Sequence, residues 1–173
     1  MELPLRACSR SEAAGRLDLA VLHAAGRIGP LVAIRDRTRT GGFFAYWRRG
    51  EIPCVICFEV RRPSGEQVRK YAHHALEKAE RLSRHPDHVS SFQTRDVTAP
   101  DKRDRAYGGA IALADDMIFS FSGFSEEEDE AVCVLAAREL GLMDDELVER
   151  IIAASNNEGL RDQIAAMRDA NVW

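Results

Sequence analysis

Gly108-Gly-Ala-Ile-Ala-Leu-Ala-Asp-Asp-Met-Ile-Phe-Ser-Phe-Ser-Gly-Phe-Ser-Glu-Glu-Glu-Asp-Glu-Ala131 is the stretch whose reading decides the fold. Two apolar runs, 108–114 and 117–122, flank Asp115-Asp116 and read as antiparallel strands joined at the aspartates. A two-residue turn there sets Ala112 opposite Phe119 and Ala110 opposite Phe121, small beside large, with Ile111, Leu113 and Ile118 on the other face. With both faces apolar, the hairpin is expected to be central and covered on each side. Ser125 to Glu128 has the form of a capping box: the Ser125 hydroxyl accepts from a first-turn amide and Glu128 reaches back to the Ser125 amide. The acidic run to Glu130 complements the positive end of the helix so begun, which explains it better than a metal site does. An apolar helix follows to Leu140, and Gly141 closes it.

Upstream, residues 65–84 carry Val68, Ala72, Ala75, Leu76, Ala79 and Leu82 as one helical stripe, with His73 and His74 outside it. Pro86 ends that helix, and polar residues 85–106 predict a long loop. Three strand-like stretches precede it, at 31–35, 43–48 and 52–60. In the second, alternation separates Phe43 and Trp47 from Phe44 and Tyr46; in the third, Pro53 means that the strand begins at an edge or has its first residues outside the pairing. Residues 11–25 read as a helix begun by Ser11 and stopped by Gly26 and Gly29-Pro30. Two more helices, 145–154 and 158–170, are split at Asn156-Asn157. The sum is a single α+β domain over 1–173: a central antiparallel sheet of about five strands flanked by helices, with a core over 11–140 and extra C-terminal helices over 144–170.

Composition fits a chain that builds its own core: 173 residues, 45% hydrophobic and 30% charged. No basic start leads into an apolar stretch, and no apolar run nears the roughly 18 residues that span a bilayer. The expectation is a cytoplasmic protein, neither exported nor membrane-bound, with Cys8, Cys54, Cys57 and Cys133 as free and mostly buried thiols. Residues 35–105 hold sixteen Lys/Arg against ten Asp/Glu, whereas 106–173 hold four against fifteen. Such a division could draw an anionic ligand to the middle or bring one subunit's acidic surface to another's basic one, as in a homo-oligomer; two solvated faces are the simpler account. Aromatic residues beside Arg48-Arg49 could serve nucleic acid, but the net charge of −4 and the lack of a nucleic-acid motif weigh against it.

Cys54-Val-Ile-Cys57 has the spacing of a redox or zinc pair. On a strand, however, its Cα atoms stand about 10 Å apart with side chains on opposite faces, too far for a disulfide. His73, His74, His85 and His88 match no zinc module, so no metal is assigned, although they are the first residues to test for one. A nucleophile elbow, a phosphate-cradling glycine loop and a dinucleotide fingerprint are all missing, which leaves enzymatic chemistry unread. The residues placed at a candidate ligand cavity, between the 85–106 loop and the sheet, are His73, His74 and Arg95.

Three stretches carry a family likeness: Ile34-Arg-Asp36 with Phe43-Phe-Ala-Tyr-Trp-Arg-Arg-Gly-Glu-Ile-Pro53, then Gly108-Gly109, then Ser122-Gly-Phe-Ser-Glu-Glu-Glu-Asp-Glu-Ala131. In these, and in its order of elements, the chain resembles the haem-degrading or haem-binding family exemplified by GlcG and HbpS. The resemblance implies a profilin-like fold and a ligand such as haem or another anionic planar molecule. Glu51 and Phe124 stand where that family has glycines, and 54–62 add a strand. No iron-ligating residue is carried over. The alternative is an interaction or assembly module without small-molecule chemistry.

Overall fold

Along the chain run helix α1 (Arg10–Arg35), strands β1 (Gly42–Arg48) and β2 (Cys54–Val60), helix α2 (Gly65–Ser83), strands β3 (Ala110–Ala112) and β4 (Met117–Ser122), and helices α3 (Glu126–Glu139), α4 (Asp145–Ser155) and α5 (Glu158–Asp169). The structure is a computed structural model and describes residues 10–36, 38–49, 54–61, 63, 65–102 and 104–169. Its strands form one antiparallel sheet in the order β2-β1-β4-β3, with helices on both faces, an α+β architecture. Cys8, Glu51, Pro53 and the side chains of Ser11, Cys54 and Cys57 lie outside the described residues.

Among the described residues the sheet has four strands rather than five. The stretch expected as a first strand, 31–35, forms the last turns of α1, which passes through Gly26 and Gly29-Pro30 without stopping. Packing explains this. Leu17, Ala20, Val21, Ala24, Ala25, Ile28 and Val32 are all buried and lie on one continuous helical face, set against α3 and its own small residues. Proline forfeits one helical hydrogen bond, and its ring crowds the carbonyl four residues earlier and the residue before it. Those positions are Gly26 and Gly29, which carry no Cβ. A Cβ at Gly29 would also run into the Arg61 guanidinium.

The β3–β4 hairpin forms, but one residue out of the expected register. Ala110 pairs with Ser120, Ile111 with Phe119 and Ala112 with Ile118. Its loop takes three residues, Ala114, Asp115 and Asp116, because both aspartates adopt left-handed φ values of 59° and 61° and Leu113 N–H already bonds to Met117 O at 2.8 Å. The faces regroup accordingly. Ile111, Leu113, Phe119 and Phe121 join Phe44 against α1 and α3, whereas Ala110, Ala112 and Ile118 join Trp47 against Ala79 and Leu82 of α2. Phe44 and Tyr46 both meet the Phe119 ring edge-on, at 5.2 and 6.1 Å, so the β1 aromatics pack the core. Both faces of the hairpin are covered, yet only β4 is central; β3 is an edge strand.

The α3 cap is as read: Ser125 Oγ accepts from Glu128 N, and Glu128 returns to Ser125 N at 3.0 Å. Gly141, at φ 67°, donates to Arg138 O, and Leu142 donates to Ala137 O, closing the helix. The acidic run is not a solvated face, because Glu128, Asp129 and Glu130 are buried. Arg49, next to the aromatic strand, donates to Ser83 O and Leu82 O at the carbonyl end of α2, which favours positive charge. The 85–106 segment is not wholly irregular. It holds a short 3-10 helix, Ser91–Thr94, and backbone bridges pairing Ser90 with Ile111 and Asp96 with Ala106. Asn156, at φ 58°, splits α4 from α5. No described helix is long and apolar enough to cross a membrane.

Candidate functional site

The interior of the molecule holds an ion pair. Lys78 sits on the sheet-facing side of α2, where its ammonium donates to Asp129 Oδ2 at 2.8 Å and to Phe121 O at 3.0 Å. Both side chains are almost wholly buried, at 2% and 4% exposure. The other Asp129 oxygen accepts from Phe124 N at 2.8 Å, so the carboxylate also fixes the turn from β4 into α3. Burial pushes its pKa up, against the pull of Lys78 and the Phe124 amide. Gly109 is what lets the chain pass this pair: its φ is +106°, and a Cβ there would stand 2.6 Å from Asp129 Cβ and 2.9 Å from Lys78 Nζ.

A second carboxylate, Glu126, receives Arg95 through both Nε and Nη2, at 2.8–3.0 Å, and the Gly108 amide at 2.6 Å. These donors hold its pKa down despite burial. Arg81 of α2 completes the scaffold by donating to Ser91 O, Thr94 O and Tyr107 O. It fastens the two ends of the 91–107 segment to one helix.

Between α2, Lys102, Arg105 and Tyr107, the residues Asp36, Thr38 and Arg39, and the start of α3 lies an open cleft of about 570 Å³. That is within the roughly 300–1,000 Å³ typical of small-molecule sites. Tyr71, Tyr107 and Phe124 supply its aromatic lining, and Lys70, Lys102 and Arg105 supply positive charge. His74 stands in its wall, 5% exposed, with its ring edge-on to Tyr107 at 5.1 Å and no hydrogen-bond partner for Nδ1. Burial first, then the Lys78 charge, holds its pKa down to about 4, so the imidazole is neutral at physiological pH. A wider groove of about 790 Å³ adjoins the cleft and shares Lys70, His74 and Lys102 with it. At the start of α3 the Glu128 amide is taken by Ser125 Oγ, the Ser125 amide by Glu128 and the Phe124 amide by Asp129.

Of the residues placed at the site from sequence, His74 lines the cleft. His73 is exposed on the outer groove, its ring 5.3 Å from that of His74. Arg95 is held by Glu126 and is absent from the cleft lining. The expectation that both histidines fall outside the buried stripe fails for His74. The buried face of α2 is His74, Ala75, Lys78, Ala79 and Leu82, with Val68, Ala72 and Leu76 only partly covered. His85 and His88 stack with each other at 4.9 Å, away from the cleft. Among the described residues no three His, Cys, Asp or Glu side chains are grouped as metal ligands. Lys78 and Tyr107 went unread in the sequence, and of the cationic rim only the basic excess over 35–105 was legible. A lysine amid the alanines of an amphipathic stripe was the available signal.

On the far side of α3, Glu130 is fully buried and accepts from Ser90 Oγ at 2.6 Å and Asn157 Nδ2 at 3.1 Å. Burial raises its pKa to about 7. It ties the loop before the 3-10 helix to the junction of α4 and α5.

No protein-family model, no curated protein and no solved structure matches the chain.

Proposed function

We propose that this is a cytoplasmic ligand-binding protein of profilin-like architecture whose cleft beside α2 takes a small anionic molecule with a planar body, haem being one member of that class. The observation that carries the reading is the cleft itself, where a neutral, buried His74 with an unpartnered Nδ1 stands among aromatic walls and the cations Lys70, Lys102 and Arg105. An aromatic lining suits a flat ligand, and a few convergent polar groups fix its orientation. The four-stranded antiparallel sheet covered by helices on both faces supports the architecture.

Titration with haemin, followed by its Soret band, and with indole-3-propionate, followed by calorimetry, tests this. Saturable binding at one site per chain, weakened about tenfold or more by Lys70→Met with Lys102→Met, is the expected result. Binding of the small acid but not haemin removes haem and keeps the anion; binding of neither overturns the reading. A second reading, self-assembly, is favoured by Leu19 and Leu22, 52% and 44% exposed one turn apart on α1. Light scattering that finds a monomer at every salt concentration would sink it.

A further inference from the structure

The charges lining the cleft are mostly spoken for. Asp36 accepts from Thr38 and Arg39, Asp129 holds Lys78, and Glu126 holds Arg95 and the Gly108 amide. Arg105 spends its Nε on Ala99 O. What remains is divided by position. Lys70 and Lys102, on α2 and the 96–106 loop, have no ion-pair partner among the described residues, and Arg105 of the same loop also lines the cleft. On a different element of the lining, the first turn of α3, Glu127 is the one lining carboxylate with no ion-pair partner among the described residues. The neutral His74, nine-tenths buried and unpartnered at Nδ1, stands in the same cleft and adds no charge to either side.

Arg95 feels both Glu126 and Glu127, so these three groups carry one excess negative charge. A lining whose described residues hold excess positive charge on α2 and the 96–106 loop and excess negative charge at the start of α3 complements a ligand that carries both signs. We propose that the cleft selects an amphoteric ligand, a planar or aromatic molecule bearing a carboxylate or similar acid together with a protonated amine. The acid faces Lys70, Lys102 and Arg105, and the amine faces Glu127. The inference rests on the reading that the cleft binds a planar anion, and adds the second charge to it. Glu127 is exposed, so its contribution is modest and screened by salt.

L-tryptophan and indole-3-propionate share a ring and a carboxylate and differ chiefly in the ammonium group, so calorimetric titration of the full chain with each isolates the amine. Tryptophan is expected to bind about threefold to fivefold more tightly, an advantage that fades at high salt. Glu127→Gln, an exposed substitution, is expected to abolish that advantage by weakening tryptophan, while indole-3-propionate, which loses only a repulsive charge, binds no more weakly than before; Lys70→Met with Lys102→Met weakens both ligands. Indole-3-propionate binding as tightly as tryptophan, or an advantage that survives Glu127→Gln, overturns the amphoteric ligand and leaves the planar-anion reading standing. If neither ligand binds while haemin does, the amphoteric ligand is again overturned. If none of the three binds, both readings fall together.

Discussion

Lys78 and Asp129 show how much one pair of residues can be asked to hold. Each is nearly out of reach of water, and each satisfies the other while bonding to backbone at the β4–α3 turn. Removing one partner of such a pair strands the other charge, at a cost of about 3–5 kcal/mol. Lys78→Met is therefore expected to lower the urea midpoint sharply, and adding Asp129→Leu should return only part of the loss, because the Phe124 amide then lacks its acceptor. A loss under about 1 kcal/mol for Lys78→Met would show that Asp129 simply takes up a proton instead. Gly109→Ala belongs to the same site: it meets both a left-handed φ and the Asp129 side chain, and equilibrium denaturation should show it destabilised relative to Gly65→Ala, where a Cβ meets nothing.

At the scale of elements, what was legible in the sequence was what chain neighbours decide. The Ser125 cap can be read from four letters because its two hydrogen bonds close within three residues. Ser125→Ala should cost about 1 kcal/mol in thermal or chemical unfolding, and a null effect would mean that the acidic first turn suffices without it. The length of α1 was not legible. Gly26 and Gly29-Pro30 are local stop signals, and they are overruled by a buried face that continues to Val32 against α3, about a hundred positions away. The hairpin register failed for a smaller reason, one extra loop residue, which by the period of a strand moves each partner to the other face. Within the site, Lys78 was masked because a lysine in an amphipathic stripe usually reaches out to water, and its partner is 51 positions on. Arg81 is the element-scale tie between α2 and the 91–107 segment. Its replacement by Ala should raise amide exchange across 91–107 while β1 and β4 keep their protection; equal exchange everywhere would mean global loosening rather than a released loop.

For the molecule as a whole, two buried groups set opposed pH limits. The folded state denies His74 the proton that the unfolded chain takes up below pH 6.5, so this group costs stability as pH falls from 6.5 towards 4. Glu130 does the reverse: the folded state keeps a proton that the unfolded chain releases above pH 4.5, so stability is lost as pH rises from 4.5 through about 7. The two effects are of opposite sign, and between pH 4.5 and 6.5 their slopes oppose and largely cancel. These two groups therefore add little net slope to the wild-type curve of unfolding free energy there, and Asp129, whose pKa burial also raises, adds the same fall with pH to all three proteins compared. Glu130→Gln should expose a curve rising with pH, and His74→Phe one falling with it. The carboxylates held low, Asp36, Asp96, Glu126 and Glu149, add an acid-side decline common to all three proteins. Parallel curves for the three proteins would refute the assignment.

The covering of β3 has a consequence for how the molecule meets copies of itself. Val89 and Ser90 bond along its outer edge, through the Ala112 amide and the Ile111 bridge, so that side of the sheet ends in a closed seam. Among the described residues nothing closes the outer edge of β2. Among the described residues strand addition would thereby be confined to one side, where two copies joining β2 to β2 would use up the open edges and stop at a pair. Detaching residues 88–90 would open the β3 edge as well, so that strand addition would have no built-in stop. Seeded aggregation assays on a Ser90→Pro chain would detect the change as fibrils where the wild type forms none.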